Sequence, residues 1–320
     1  TSQDQRGKGR YDVIVVGGGA AGLSAALMLG RACRSVLVID NAEPRNAPAA
    51  HMHGFPSQDG TPPDEFLAAT RDQLRTYDIT VIAGTVRTVE RTSDGFRVAL
   101  ASGREVQARR LLACSGITDV LPDVPGLRER WGREVVHCPY CHGWEVRGQR
   151  IGVLASVPMS LHQALLFRQW TDQLTLLLHT QDAPAGQQAD ELAARGIRIV
   201  TGEVTQVETA DGHLSGVRLT TGEHVDLDVI AVAPITRPRA DYLALLGLIP
   251  QPHPSGMGEH IPADPTGRTT VDGVWVAGNL TEPALNVLGS ANSGAIAAGA
   301  INADLIAEDT ERALRVAHPA

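Results

Sequence analysis

The pattern of apolar positions predicts two βαβ units along the chain. From Tyr11, YDVIVVGGGAAGLSAALMLG has the form of a buried strand, a glycine turn and an Ala/Leu helix, and SVLVID (35–40) is a second strand. RIGVLAS (150–156), the helical SLHQALLFRQW and LTLLLH (174–179) repeat this order. The chain is therefore predicted to be an α/β protein with two doubly wound, Rossmann-like domains.

The segments outside these units complete both predicted domains. A loop over residues 41–60 and a helix over 63–77 precede alternating apolar residues in ITVIAGTVRTVE, FRVALAS and EVQARRLLACSG, which predict an antiparallel sheet inserted in the first domain. LPDVPGL (121–127) is interpreted as a linker. GVRLTTGEHVDLDVIAVAP and GRTTVDGVWVAGN predict strand pairs that close the second and the first domain, and a helix from Ser290 follows. The first domain is thus discontinuous, and the polar residues 1–10 are expected to be disordered.

A glycine motif marks the first βαβ unit. Gly17-x-Gly19-x-x-Gly22 lies between strand and helix, and Asp40 follows about twenty residues after the turn. Gly17 permits a sharp turn, Gly19 lets a pyrophosphate approach the backbone, and Gly22 allows close helix–strand packing. The motif predicts a dinucleotide at the helix N-terminus, and a glycine turn without ligand is the alternative.

Composition and charge exclude several classes of function. The 320 residues are 43% hydrophobic and 20% charged, with a net charge of -8 and no basic stripe, so we expect no nucleic-acid partner. No apolar run reaches the length of a membrane span, and the polar start is unlike a signal peptide. A soluble, cytoplasmic protein without membrane contact is predicted.

HCPYCHGWE (137–145) holds two of the four cysteines. A structural zinc site needs four ligands, usually from two separated pairs, and no second Cys or His pair has that spacing, so no metal site is predicted. A purely structural bridge is an alternative, but bridges across such short loops exchange readily, which favours a redox centre. The other two cysteines, Cys33 and Cys114, are expected to be buried without redox roles, and Trp144 to be core or a pocket wall.

Four motifs in order resemble the thioredoxin-reductase branch of the flavoprotein disulfide reductases over residues 10–310. They are GGGAAG, CSGI at 114–117, CPYCHG and VWVAGN. The resemblance implies that residues 11–118 and 244–320 bind FAD, and that residues 119–243 form the domain that holds NADPH in true reductases. It also implies a homodimer.

The resemblance further implies roles for individual residues. Cys138 would exchange with substrate, Cys141 would face the flavin, and His142 would be the base where the reductases have an acid, with His137 a weaker candidate. Asn279 replaces an aspartate that holds the ribityl chain, and an amide still bonds a hydroxyl. The complete predicted FAD set is Gly17, Gly18, Gly19, Ala20, Ala21, Gly22, Asp40, Arg45, His53, Val86, Cys114, Asn279, Asn286 and Val287.

The second βαβ unit departs from the reductase pattern. Its turn, residues 155–160, reads Ala-Ser-Val-Pro-Met-Ser, so two fingerprint glycines are lost and Pro158 removes an amide donor. His179-Thr180-Gln181-Asp182 stands where NADPH users carry a basic cluster. Hydrogen bonds to charged groups contribute about 1.5–3 kcal/mol each, so the loss of two such bonds weakens the binding of NADPH by roughly a hundredfold or more.

An intact FAD motif, a CPYCHG centre and an eroded nicotinamide motif together resemble FAD-dependent dithiol oxidases of the gliotoxin and holomycin type. That resemblance implies oxidation of a small-molecule dithiol, with O2 as acceptor and H2O2 as product, in the biosynthesis of a disulfide-containing natural product such as an antibiotic. Two alternatives stay open. One is a thioredoxin-type reductase fed by NADPH or another donor, and the other is a flavin redox sensor without turnover.

Overall fold

A computed structural model of the protein describes residues 10–77 and 79–318. The helices are α1 (Ala20–Arg31), α2 (Pro63–Arg75), α3 (Pro139–His142), α4 (Met159–Phe167), α5 (Gln187–Ala194) and α6 (Val287–Ala317). The first strands are β1 (Arg10–Val16), β2 (Val36–Asp40), β3 (Thr80–Ala83), β4 (Val86–Thr92), β5 (Gly95–Leu100), β6 (Glu105–Ala113), β7 (Ile117–Val120), β8 (Val135–Val136) and β9 (Ile151–Leu154). The later strands are β10 (Leu174–Leu177), β11 (Arg198–Val200), β12 (Val204–Ala210), β13 (His213–Leu219), β14 (His224–Asp226), β15 (Val229–Val232), β16 (Ile235–Pro238), β17 (Gln251–Pro252), β18 (Glu259–His260) and β19 (Val274–Val276).

A seven-stranded sheet carries the first βαβ unit. Its order is β3-β2-β1-β6-β5-β4, and β19 also pairs with β6. β1 pairs parallel with β2 and β6, and β19 pairs parallel with β6. β4, β5 and β6 form an antiparallel meander. The predicted antiparallel strands are confirmed for β4, β5 and β6, whereas β3 pairs parallel with β2, and all of them belong to one sheet because β6 takes part in both kinds of pairing. The first half of β6 alternates between exposed and buried residues, whereas residues 111–113 are all buried, as in a central parallel strand.

Two further details of this sheet differ from the predictions. GRTTVDGVWVAGN contributes only β19, with an isolated bridge between Arg268 and Trp275 in place of a strand pair. Arg10 already belongs to β1, so the disorder expected for residues 1–10 does not extend to it, and residues 1–9 lie outside the described range.

A five-stranded parallel sheet carries the second unit. Its order is β11-β10-β9-β15-β8, and α4 connects β9 to β10, which confirms the second βαβ unit. β12, β13 and β14 form a separate antiparallel sheet in that order, with β13 in the centre. The predicted α/β architecture with two doubly wound sheets is confirmed. β8 ends two residues before Cys138, so the cysteine pair lies at the carboxyl end of this sheet, the ligand-binding end in such folds.

β7 and β16 pair in an antiparallel ribbon where the chain crosses between the two sheets. The predicted linker 121–127 is instead part of the second core, because Leu121, Val124 and Leu127 are buried there. Tyr242 and Leu243 already pack in the first core. The domain limits at 118/119 and 243/244 stay predictions. Across residues 10–77 and 79–318, we find no helix with both the length and the apolar character needed to cross a membrane.

Candidate functional site

A cavity of about 570 Å³ lies between the carboxyl ends of the two parallel sheets. One side is formed by the glycine turn after β1, Asp40 and the loop from Asn41 to His53, and the other by the segment from Val135 to His142 and by α4. The N-terminus of α6 closes one end. Both motifs singled out in the sequence therefore face one space of the size typical for cofactor and ligand sites.

The glycine turn has the geometry that a pyrophosphate requires. Gly17 has a φ of +107°, and a Cβ there would lie 2.3 Å from the carbonyl oxygen of Cys114. A Cβ at Gly22 would lie 1.9 Å from the Gly17 oxygen, whereas no described atom comes within 4 Å of one at Gly19. The protein thus fills the space at Gly17 and Gly22 and leaves it open at Gly19, which fits a bound dinucleotide.

Asp40 is held at the end of β2 by two donors. The amide of Gly18 donates to its Oδ1 at 3.0 Å, and Arg71 Nη2 donates to its Oδ2 at 2.8 Å. Each carboxylate oxygen has a second lone pair for a ribose hydroxyl. Arg71, on α2, also lines the cavity. It was missed in the sequence because an arginine on a largely polar helix gives no indication that its side chain pairs with Asp40.

Arg45 and His53 both line the cavity but already have protein partners. Arg45 makes a bidentate pair with Asp119, at 2.8 and 2.7 Å, and donates to the carbonyl of Pro283. His53 lies 3.4 Å from Asp59 and 3.5 Å from Glu145, which follows the cysteine motif. These contacts hold the loop in place and use three of the five N–H groups of Arg45, so two of its N–H groups are left for a cofactor.

The start of α6 offers the remaining predicted contacts. Asn279 Nδ2 donates to the carbonyls of Glu282, Pro283 and Leu285 at 2.9–3.2 Å, which leaves Oδ1 to accept from a hydroxyl. A carboxylate could not donate to those carbonyls, which explains an amide here. Asn286 caps α6 through a bond from the Gly289 amide at 2.8 Å, and Val287 begins the helix.

Several predicted residues do not reach the cavity. Gly22 and Val86 are not among its lining residues, and Val86 is buried in the first core. Cys114, in contrast, lines the cavity, its carbonyl lies against the turn at Gly17, and burial raises the pKa of its thiol. Cys33 is exposed, contrary to expectation, because it follows the end of α1 in a surface turn with a φ of +59°. Trp144 is 65% exposed and carries the Arg147 guanidinium over its ring, so both expectations for it are wrong.

The cysteine pair is built on a single helical turn. Cys138 precedes α3, and the Cys141 amide donates to its carbonyl at 3.2 Å. A hydrogen bond from the Cys141 thiol, aided by the backbone amides of Cys141 and Tyr140, lowers the pKa of Cys138 to about 7. The same bond and burial raise the pKa of Cys141. In the dithiol state, the charge therefore rests on Cys138 and the proton on Cys141.

His142 is a buried side chain of the site whose hydrogen-bonding atoms are unsatisfied. Both ring nitrogens are buried and have no hydrogen-bond partner among the described residues. Burial lowers the pKa of this imidazole, so it is neutral at pH 7 and able to accept a proton. His137 also lines the cavity, and burial likewise lowers its pKa, but its Nδ1 lies 3.3 Å from the carbonyl of Val232. Within residues 10–77 and 79–318 no cluster of three or more His, Cys, Asp or Glu is arranged to hold a metal ion.

Comparison with known proteins places this geometry in a family. The family described as pyridine nucleotide-disulphide oxidoreductase matches residues 11–301. Thioredoxin reductase tcpT of Claviceps purpurea is 33% identical over 93% of this chain and 95% of its own, and thioredoxin reductase sirT of Leptosphaeria maculans is 29% identical over the same shares. The crystal structure of HlmI has a TM-score of 0.91 and 40% identity, covering 97% of each chain. The chain therefore belongs to the pyridine nucleotide-disulphide oxidoreductase family, as a thioredoxin-reductase-like oxidoreductase that binds FAD.

Proposed function

We propose that the protein oxidises a small-molecule dithiol to its intramolecular disulfide through Cys138 and Cys141, with O2 as electron acceptor and H2O2 as product. The product would be a disulfide-containing natural product. One observation carries the proposal. The cavity that contains the FAD turn also contains the cysteine pair and an unpaired neutral His142, whereas the second βαβ turn has Val157 and Pro158 where a pyridine-nucleotide site needs close backbone approach and free amides.

The turn at residues 155–160 has lost part of its set of donors. The amide of Ser160 donates to the carbonyl of Val157 at 3.0 Å, the amide of Leu161 donates to that of Pro158 at 3.4 Å, and Pro158 has no N–H. A phosphate at a helix N-terminus depends on several free amides and on close backbone approach. The branched side chain of Val157 further blocks that approach. The space at Gly19 in the first turn is open, whereas the second turn carries Val157 at the corresponding place. This difference supports a dinucleotide site in the first βαβ unit and none in the second.

The end of β10 supports the same conclusion. His179 stands where a 2'-phosphate would need cations, but its Nδ1 accepts the amide of Val204 at 3.1 Å. Burial lowers the pKa of His179, so it is neutral at pH 7. A neutral ring brings no positive charge to a phosphate, and the Nε2–H is the one donor that it keeps.

The chemistry assigned to the chain's own residues balances as two thiol–disulfide exchanges. A substrate thiolate attacks Cys138 of the oxidised pair, forming a substrate–Cys138 disulfide and releasing Cys141 as a thiolate. The second substrate thiolate then attacks the substrate sulfur of that bond, closes the product disulfide and releases Cys138. The substrate loses two electrons and two protons, and the cysteine pair gains the two electrons. FAD, held by the Gly17–Ala21 turn, Asp40 and Asn279, would carry that electron pair from the cysteines to O2.

Two features of the site fit this order of reaction steps. A thiol of lower pKa leaves faster, so once Cys141 is protonated its hydrogen bond, which lowers the pKa of Cys138 to about 7, favours the ring-closing step. His142 would take the proton from the attacking thiol, because a neutral buried imidazole near a thiol suits general-base work at neutral pH.

The printed names of the fungal relatives favour a second candidate. Both tcpT and sirT are called thioredoxin reductase, which would imply a disulfide reductase fed by NADPH or another donor. The two candidates differ in which reagent delivers electrons to the protein. The predicted homodimer and cytoplasmic location are compatible with either and stay predictions.

Anaerobic mixing distinguishes the candidates. The FAD-loaded protein is mixed with NADPH or with 1,4-butanedithiol, and bleaching of the flavin is followed by stopped flow. We expect rapid bleaching by the dithiol alone, followed by oxygen uptake and H2O2 on aeration. Cys138→Ser should abolish it, while Cys33→Ser, on an exposed remote cysteine, should not. Rapid bleaching by NADPH would refute the proposal, and dithiol reduction without repeated oxygen uptake would indicate a sensor.

A further inference from the structure

One wall of the cavity is a helix face that the proposed chemistry does not use. Met159, His162, Gln163 and Leu166 of α4 all line the cavity. Their spacing of three, four and seven residues from the first places them on one side of the helix. In the second βαβ unit this helix follows the turn that has lost its nucleotide-binding features, so the face is available to another ligand.

Gln163 is the polar member of that face whose geometry is fixed. Its side chain is only 5% exposed, and Nε2 donates to the carbonyl of His137 at 2.7 Å. Because a carbonyl only accepts, the amide cannot be turned round without placing two oxygens against each other. His137 directly precedes Cys138 in the chain, so this bond holds Gln163 beside the exchanging cysteine.

The other end of the same amide is unsatisfied. Gln163 Oε1 is buried and has no hydrogen-bond partner among residues 10–77 and 79–318. Buried polar atoms without partners are rare and destabilising, and they often mark functional positions. Oε1 can only accept a hydrogen bond, so the ligand group that pairs with it must be a donor.

We propose that Gln163 determines substrate specificity by accepting a hydrogen bond from an N–H or O–H group that the dithiol carries near its thiols. This inference rests on the proposed function, since it assigns a substrate contact to the same cavity. The substrate class is then a neutral dithiol with a hydrogen-bond donor. Binding orients its thiols toward Cys138, and a dithiol lacking the donor would leave Oε1 buried and unpaired.

The test uses pairs of dithiols that differ only in the donor. The first pair is N,N'-bis(mercaptoacetyl)ethylenediamine and its N,N'-dimethyl derivative, and the second is dithiothreitol and 1,4-butanedithiol. The rate of anaerobic flavin bleaching per unit of dithiol concentration is measured for each. The wild-type protein should prefer the donor-bearing member of at least one pair about tenfold, and the pair that shows the preference identifies the donor as amide or hydroxyl.

Gln163→Met should remove that preference. The rate with the donor-bearing dithiol should fall about tenfold, and the rate with its partner should change less than about twofold. Gln173→Met is the matched control, since Gln173 also donates to a backbone carbonyl, that of Gly148, but is exposed and outside the cavity. A structural role for Gln163 would instead slow both dithiols equally. The dissociation constants of the corresponding cyclic disulfides, measured by calorimetry, should show the same pattern without turnover.

The outcomes separate this inference from the proposed function. If the wild-type protein reacts equally with both members of each pair, the role of Gln163 is refuted and dithiol oxidation stands. If Gln163→Met keeps the wild-type preference, the role is likewise refuted. If no dithiol bleaches the wild-type flavin, the proposed function itself fails. The wild-type comparison alone decides the first point even if the variant does not fold.

Discussion

Two glycines of the FAD motif should respond to alanine in opposite ways. At Gly22, a Cβ would lie 1.9 Å from the backbone oxygen of Gly17, so turn and helix must separate by more than 1 Å to reach even the 3.0 Å limit of real contacts. At Gly19, no described atom lies within 4 Å of the added carbon, and its φ of -82° suits alanine. Alanine therefore disturbs the packing of the protein at Gly22 and the binding of FAD at Gly19.

The expected magnitudes follow from these contacts. Gly22→Ala should lower the free energy of unfolding of the FAD-free protein by about 3 kcal/mol or more, a fall in Tm of roughly 5–10 °C. Gly19→Ala should leave that free energy within about 1 kcal/mol of wild type. It should nevertheless weaken FAD binding at least about a hundredfold, because the methyl group keeps the pyrophosphate from the backbone amides and costs about two charge-assisted hydrogen bonds.

The assay measures both properties separately. FAD is removed, the thermal unfolding of each apoprotein is followed by circular dichroism, and FAD is then titrated back by absorbance. Gly299→Ala is the control, since it lies in α6 away from the cavity and its added carbon meets no described atom within 4 Å. Wild-type affinity for FAD in Gly19→Ala, or a wild-type Tm for apo Gly22→Ala, would refute this explanation of the motif.

Three further predictions concern protons. His142→Ala should slow flavin reduction by dithiol about 10²- to 10⁴-fold while FAD absorbance per protein is unchanged, and a wild-type rate would exclude the base role. In the reduced protein, iodoacetamide labelling of Cys138 should rise with pH around a midpoint near 7, and buried Cys114, whose pKa burial raises, should stay unlabelled when peptides are mapped by mass. Hydrogen bonds from Arg150 lower the pKa of Asp228, so the pair stabilises the fold above the ordinary carboxyl pKa of 3.8 and loses this as pH falls through the lower folded value. Arg150→Met should thus lower Tm by about 1 °C at pH 7 and by nothing near pH 2, and a pH-independent difference would contradict the assignment.

The sequence predicted the parts of the fold that local physics determines. Gly17 and Gly22 could be assigned because only glycine fits their turn, and the two βαβ units because their apolar runs are long and regular. The antiparallel strands were predicted, but their continuity with the parallel sheet was not, because β6 alternates in its first half and is fully buried in its second. A strand that serves two kinds of sheet shows both patterns, and periodicity cannot tell that they belong to one sheet.

The site was predictable in its motif residues and not in their partners. Arg71 on Asp40 and Asp119 on Arg45 come from distant segments, and nothing in their own local sequence marks them. Gln163 looked like an ordinary helical residue, and only the fold shows its oxygen buried and unpaired beside the cysteine motif. The predictions for Cys33 and Trp144 were wrong because they relied on residue type alone. Both types are usually buried, but here they lie in surface turns.

The unequal pKa values of the two cysteines bear on the direction of electron flow. The Cys141 pKa is raised first by its hydrogen bond to Cys138 and then by burial and the Cys138 charge, so two of the three causes exist only in the dithiol state. In the mixed disulfide Cys138 carries no charge, and Cys141 can leave as a thiolate. After ring closure the charge returns to Cys138 and the remaining proton lies on Cys141, the sulfur predicted to face the flavin. Further oxidation then requires a base that takes this proton, and we propose His142 for this role because it is next in the chain, neutral through burial and without a hydrogen-bond partner among the described residues.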